Sequence, residues 1–272
     1  MQLVVAGRQL RQIVQSDMSK DHRAAAVSWL GHRGEERAFF AGLIENEREA
    51  GHIRKNAISA LARYSNNEAL SQLQSLYKKE ENTDIEKRII PSMSTDRFGD
   101  AAGAFFLQVA RDTGENRDGR KHAISRLSLG GAIAHRLGLI DLYDGETDRD
   151  IKFRILNALA QMNLPASREK IIEIARHESN TDQRKRSIRS LDHHDEETVS
   201  LMTSFYDAEQ STDVRATILD ILGASQHADE TAKLIDISRQ TTSDKSREKA
   251  TYWLGKSNDP RAVRFFEDMF RN

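Results

Sequence analysis

The sequence predicts an all-α solenoid, a superhelix of about eight helical hairpins. Three observations carry this: a helix-forming composition, a short template recurring along the whole chain, and a second amphipathic stretch between successive copies. The chain of 272 residues holds only 3 Pro and 15 Gly, is rich in Ala, Leu, Arg, Lys and Glu, and has no stretch of alternating β-branched residues. At 38% hydrophobic and 31% charged it folds, but not around one large globular core, which favours an elongated body.

The template is a basic residue, apolar or small residues three and four positions on, and Leu at the seventh, all on one helical face. Its first positions are Arg23, Arg54, Glu86, Arg120, Lys152, Arg184, Arg215 and Arg247. Its seventh positions are Leu30, Leu61, Met93, Leu127, Leu159, Leu191, Leu222 and Leu254. Asp21, Asp84, Asp118, Asp150, Asp182 and Asp213 stand two residues before the first position, placed to cap a helix or favour its positive end.

Between templates the second stretch reaches Ile44, Leu76, Leu142, Ile174, Phe205 and Ile237. Inner turns are expected at Gly31 to Gly34, at Asn66 and Asn67, at Ser167, at Asp195, and at Asn258-Asp259-Pro260. The organisation predicted is a single domain over 1–272. A capping helix covers 1–20, and repeats begin near 21, 52, 84, 118, 150, 182, 213 and 245. Helices this short are marginal alone, so each hairpin must bury its stripe on its neighbours.

The runs "SDKSREKATYWLGKSNDPRAVRFF", "STDVRATILDILG" and "DRDIKFRILNALA" resemble HEAT-type repeats, especially the short HEAT-like repeats named after phycobilisome lyases. The resemblance covers residues 21 to 270 and is specific for fold rather than function. It implies that the template helices line a concave surface, with Asp and Arg forming a ladder between neighbours. It also implies a protein-binding scaffold in most cases and an enzyme in some. Repeat 3 departs from the pattern, with Glu86 in the basic slot and Pro91 inside the helix, where it removes a backbone donor. Repeat 4 has Gly130-Gly131 for its turn, so irregularities are expected around 91 to 131.

The absence of cysteine excludes disulfides, thiol catalysis and thiolate metal sites, while leaving the compartment, cytoplasm or periplasm, open. No 18-residue apolar run suggests membrane insertion, and "LVVAG" is too short for a signal-peptide core. "HHDEE" at 193 to 197 holds potential metal ligands but reads better as an inner turn. "DTG" at 112 to 114 lacks the sheet and second carboxylate of an aspartic protease, and "GENRDG" from 114 lacks the acidic ligands of a calcium loop. Both read as an inter-repeat turn, and neither metal nor cofactor is expected. Trp29 and Trp253 share the sixth template position, where packing at the ends of the array is expected.

Charge is segregated. The eleven-residue windows opening at each first position carry +15 together, which leaves −16 for the rest of a chain of net charge −1. Candidate partner-binding residues are Arg54, Lys55, Lys121, His122, Arg154, Lys185, Arg186 and Arg189, on a surface suited to an acidic protein segment. Phe266 and Phe270, with Val263 and Met269, form a candidate terminal hydrophobic contact.

The function expected is a non-enzymatic protein–protein interaction scaffold. The alternatives are a nucleic-acid-binding protein resembling HEAT-like DNA glycosylases, disfavoured by the near-neutral charge, and a phycobilin-lyase-like enzyme or chaperone. An open stack of eight hairpins would be about 80 Å long at about 10 Å per helix layer. Small-angle scattering should therefore give a radius of gyration well above the roughly 18 Å of a compact globule of this length. A value near that figure would contradict the solenoid.

Overall fold

The computed structural model describes residues 2–16, 18–33, 37–191, 196–225 and 228–271, with backbone alone at 2–6, 196, 225, 228, 229 and 270. Two compact units are present, 1–162 and 163–272. Every regular element among the described residues is a helix, and the fold is an all-α solenoid.

The first unit contains α1 (Gln2–Gln15), α2 (Lys20–Arg33), α3 (Arg37–Glu45), α4 (Gly51–Ala62), α5 (Asn67–Lys79), α6 (Thr83–Ser92), α7 (Thr95–Arg111), α8 (Arg117–Leu129), α9 (Ile133–Gly145) and α10 (Arg149–Met162). Its template helices α2, α4, α6, α8 and α10 contact one another in sequence, and α3, α5, α7 and α9 form a second row. The second unit contains α11 (Pro165–His177), α12 (Thr181–Ser190), α13 (Glu196–Ala208), α14 (Thr212–Ser225), α15 (Ala228–Gln240), α16 (Asp244–Lys256) and α17 (Pro260–Arg271). There α12, α14 and α16 make one row and α13, α15 and α17 the other.

The template states the burial. Leu30, Leu61, Met93, Leu127, Leu159, Leu191, Leu222 and Leu254 are all at most 1% exposed. Each such side chain is worth about 1.5–3 kcal/mol in burial, which is what holds helices this short in place.

The basic first position has a different task. Arg54 donates from Nε to the Ile44 carbonyl at 2.7 Å, at the C-terminal end of α3, and from Nη2 to Glu80, 26 residues further on. Arg120 repeats the arrangement with the Ala110 carbonyl at 2.9 Å and with Glu146, and Arg23 does so with Val14 at 2.6 Å and Glu49 at 2.5 Å. Arg184 holds Glu209 with two parallel bonds, at 3.0 and 3.2 Å. The second oxygen of each glutamate accepts backbone N–H groups at the entry to the next template helix, as Glu146 does from Thr147 and Asp148 at 2.8 and 2.7 Å. One guanidinium thus ties the end of one helix to the start of another through a carboxylate.

The aspartates placed two residues before the first position do not cap. Asn82, Asn116 and Asn180, two residues earlier again, accept the free N–H groups of α6, α8 and α12. Two inner turns also differ from expectation. Gly31 and Ser167 lie inside α2 and α11, because Gly31 lets α2 approach α4 closely and Asn163, at φ +48°, makes the later turn. A Cβ on Gly31 would sit 2.6 Å from that of Ala60.

Repeat 3 is irregular as expected, though the break falls at Gly99 (φ +57°) within α7, while Pro91 sits in the last turn of α6. Gly131 turns the chain between α8 and α9 at φ +97°. Thr95 of repeat 3 packs on that glycine pair, so a Cβ on Gly130 would meet its hydroxyl at 2.7 Å. Glu86 is accepted into the first position because Asn116 donates to it at 2.8 Å. Burial, together with Glu115 and Glu86 beside its hydroxyl, pushes the Tyr77 phenol well above its usual range.

Arg120→Ala leaves Glu146 buried without its cation and is expected to cost about 3–5 kcal/mol in urea unfolding. Lys121→Ala, on the exposed pair next to it, should cost less than about 1 kcal/mol. Acid acts through the same joints. Burial raises the Glu146 and Glu209 carboxyls, but N–H groups of the following residues and Arg120 or Arg184 outweigh it, leaving both below the usual range. Their stabilisation is therefore complete above the unfolded value of about 4.3 and is lost as pH falls through the lower folded value. Urea midpoints should hold from pH 7 to about 5 and decline below about 4.3.

Candidate functional site

The exposed side of the template row is a lattice of lysines and aspartates. Lys55 faces Asp84 at 3.8 Å, Lys87 faces Asp118 at 3.4 Å and Lys121 faces Asp150 at 3.6 Å. Each lysine follows the first position and meets the aspartate of the next repeat, so the ladder implied by the resemblance exists, carried by these lysines and, at Asp150, also by Arg117 at 3.4 Å. Pairs this exposed contribute little to stability and exchange partners readily.

Around them α6, α8 and α10 enclose a groove of about 580 Å³ lined by Lys87, Asp118, Lys121, His122, Asp150, Phe153, Arg154 and Asn157. Arg154 is held over it by a bond from Nε to the Lys121 carbonyl at 3.3 Å. Phe153 is 41% exposed, an aromatic surface among charges. Partial burial lowers the His122 pKa, with Asp118 opposing and Arg154, Lys87 and Arg126 reinforcing, so the imidazole is neutral at pH 7.

The structure thus brings Lys121, His122 and Arg154 together and adds Lys87 and Phe153, the latter absent from the sequence-derived candidates. An aromatic residue directly after the first position, where Lys55, Lys87 and Lys121 stand in other repeats, was the missing signal, because the template specifies which positions are buried and is silent about its remaining faces. Lys55 lies one repeat earlier. Arg54, 4% exposed and bonded to Glu80, belongs to the buried joint and presents no surface to a partner.

In the second unit Lys185 pairs with Asp182 at 2.8 Å, Arg186 is half-buried, and exposed Arg189 reaches Thr217 at 3.5 Å. Residues 193–195 of the "HHDEE" run lie outside the described residues. No described group of three or more His, Asp and Glu side chains is arranged to hold a metal ion. Residues 112 to 116 form the turn between α7 and α8, with Gly114 N–H donating to Asp112 Oδ1 at 2.9 Å and Asn116 capping α8.

The last helix places Ala262 and Phe265 in the core. Val263 and Met269 are 56% and 55% exposed, and Phe266 is half-buried; the side chain of Phe270 lies outside the described residues. The two tryptophans part company. Trp253 lies over the bare backbone of Gly223 and donates from Nε1 to Asp220 at 3.0 Å, whereas Trp29 is 63% exposed, against the packing expected of it. Among the described residues α2 has no template helix before it, so Trp29 has no such seat. No described helix is long and apolar enough to cross a membrane.

Residues 7–94 match the HEAT repeats family. By fold the chain is similar to human deoxyhypusine hydroxylase in complex with glycerol (13% identity, 93% of this chain and 96% of that one, TM-score 0.37). It is also similar to the CpcE and CpcF complex of phycocyanin lyase from Nostoc sp. PCC7120 (14%, 92% and 94%, TM-score 0.37). A third similarity is to Kap95p bound to RanGDP (9%, 100% and 47%, TM-score 0.39). No curated protein matches by sequence.

The surroundings of His122 are open to measurement. In NMR titrations Arg154→Gln should raise its pKa, because a reinforcing cation is removed, and Asp118→Asn should lower it further. Absence of both shifts would place His122 away from these groups.

Proposed function

Residues 7–94 match HEAT repeats, and from that premise we propose that the chain is a non-enzymatic scaffold whose template-row groove binds an acidic segment of a protein partner. The observation that carries the reading is the groove between α6 and α10, where Lys87, Lys121 and Arg154 surround the exposed ring of Phe153. The lysines are held by exposed aspartates at 3.4 and 3.6 Å, contacts weak enough for incoming carboxylates to replace. An exposed aromatic surface among exchangeable cations suits a peptide carrying both acidic and apolar side chains, the usual mixture at protein interfaces. Catalysis finds no support in the groove, whose described lining places no hydroxyl or thiol beside the imidazole.

The test is fluorescence anisotropy with an Asp/Glu-rich peptide containing Leu and Phe, alongside a 20-base-pair duplex. Lys121→Glu with Arg154→Glu should weaken peptide binding about tenfold or more, since charge-assisted bonds are worth about 1.5–3 kcal/mol each. Unchanged peptide binding would refute the groove. Tight duplex binding, with a log-affinity slope against log salt of several units at about 0.9 per phosphate, would favour a nucleic-acid role.

A further inference from the structure

A second concentration of positive charge lies away from the Lys–Asp lattice, where repeats 1, 2 and 3 meet. Two adjoining hollows of about 430 and 320 Å³ share Arg63 and Arg97. The first adds His32 to its lining, and the second adds Ser59, Arg88 and Ser92. Among the described residues no carboxylate lines either hollow, and none of the three arginines forms an ion pair with a described residue. Asp96, next to Arg97 in the chain, turns towards the Gly130 bend, with Oδ1 3.8 Å from where a Cβ there would stand.

The guanidiniums are nonetheless held in place, each by a neutral acceptor. Arg97 Nη1 donates to the Ala62 carbonyl at 3.3 Å, and Arg88 Nη2 to Ser59 Oγ at 2.7 Å. Arg63 Nη1 donates to His32 Nδ1 at 3.1 Å. Arginine can only donate, so Nδ1 carries the lone pair and His32 keeps its proton on Nε2, a further donor.

The fold assembles this cluster by specific means. Gly31 lets α2 close on α4, bringing His32 beside Arg63, and the turn after Pro91 sets Arg88 and Arg97 on either side of one bend. Three like charges lining one hollow repel one another, a cost that a bound anion would relieve. Lys55, Lys87 and Lys121 each have an aspartate within reach, whereas no described residue supplies that counter-charge here.

We propose that this hollow binds a phosphate monoester, whose two negative charges and tetrahedral oxygens match several guanidinium forks better than one carboxylate does. The chemistry is the same whether the group is free phosphate or is carried on a peptide as phosphoserine. The site is separate from the α6–α10 groove and does not depend on the function proposed for it.

Isothermal titration and thermal melting of the full chain test it. The probes are inorganic phosphate, an alanine-rich peptide with one phosphoserine, the same peptide unphosphorylated, and a 20-nucleotide single-stranded DNA. Phosphate should bind saturably and raise the melting temperature, and Arg63→Gln with Arg97→Gln should weaken it about tenfold or more. The pair Lys121→Glu and Arg154→Glu should leave it unchanged.

A phosphoserine peptide binding about tenfold tighter than its unphosphorylated twin assigns the phosphate to a protein. Equal binding of the two peptides, with phosphate still bound through Arg63 and Arg97, assigns it to a small molecule. Arg63→Lys with Arg97→Lys keeps the charge and the fold but loses the forks, and should bind phosphate less well than the native chain. Three results would overturn the proposal: no saturable phosphate effect on the native chain, equal phosphate binding by the glutamine variant, or displacement of phosphate by DNA more effectively than by the phosphopeptide.

Discussion

The structure depends on a buried charge that has to be answered at a fixed distance along the chain. In the Arg23, Arg54 and Arg120 joints a guanidinium closes the carbonyl end of a preceding helix and meets a glutamate 26 residues on, and that glutamate accepts N–H groups where the next template helix begins. Removing either partner leaves a desolvated charge, so the joint punishes any register but its own. The leucine stripe supplies most of the stabilisation and tolerates small slips. The joint supplies little net energy and tolerates none, and this division of labour sets each hairpin at one angle and one height on its neighbour.

Most of the architecture was legible because the template writes burial and period together. A leucine seven positions after a basic residue can only lie inside when the helix begins where it does, and all eight of those positions are buried. The second partner of the joint was harder to see. The glutamates are not conspicuous in composition, and the aspartates, two residues before six of the eight first positions, form the more visible row. Those aspartates face outward to lysines of the preceding repeat, while the arginines turn inward to glutamates. Sequence spacing alone does not say which of two acids a base will choose; burial decides it.

The surface was legible only in part, for the same reason. Lys121, His122 and Arg154 follow from charge periodicity, because the period that stacks the helices also aligns whatever stands one or two positions after the arginine. Phe153, Arg63 and Arg97 break that period, and their meaning comes from how neighbouring repeats approach. Gly31 is instructive here: in sequence it looks like a turn residue, whereas in the fold it is the place where two helices are allowed to touch, and the meeting of His32 with Arg63 follows from that contact.

The reach of the joint, 26 residues at Arg23, Arg54 and Arg120 and 25 at Arg184, also bears on how such a chain changes length over generations. A duplication or deletion that spans one whole period keeps Arg23, Arg54, Arg120 and Arg184 each opposite its glutamate, so recombination between these repeats yields chains whose sockets still match. The third repeat is the exception. Glu86 is satisfied by Asn116 and sits beside Tyr77, a set that does not recur in this form elsewhere in the chain. An exchange with its junction between Glu86 and Asn116 would bring Glu86 against another repeat's glutamate with no guanidinium between them. Copying is thus tolerated where a unit carries both its arginine and its glutamate, and residues 77 to 116 travel only together, which makes the least regular repeat an indivisible part of the array.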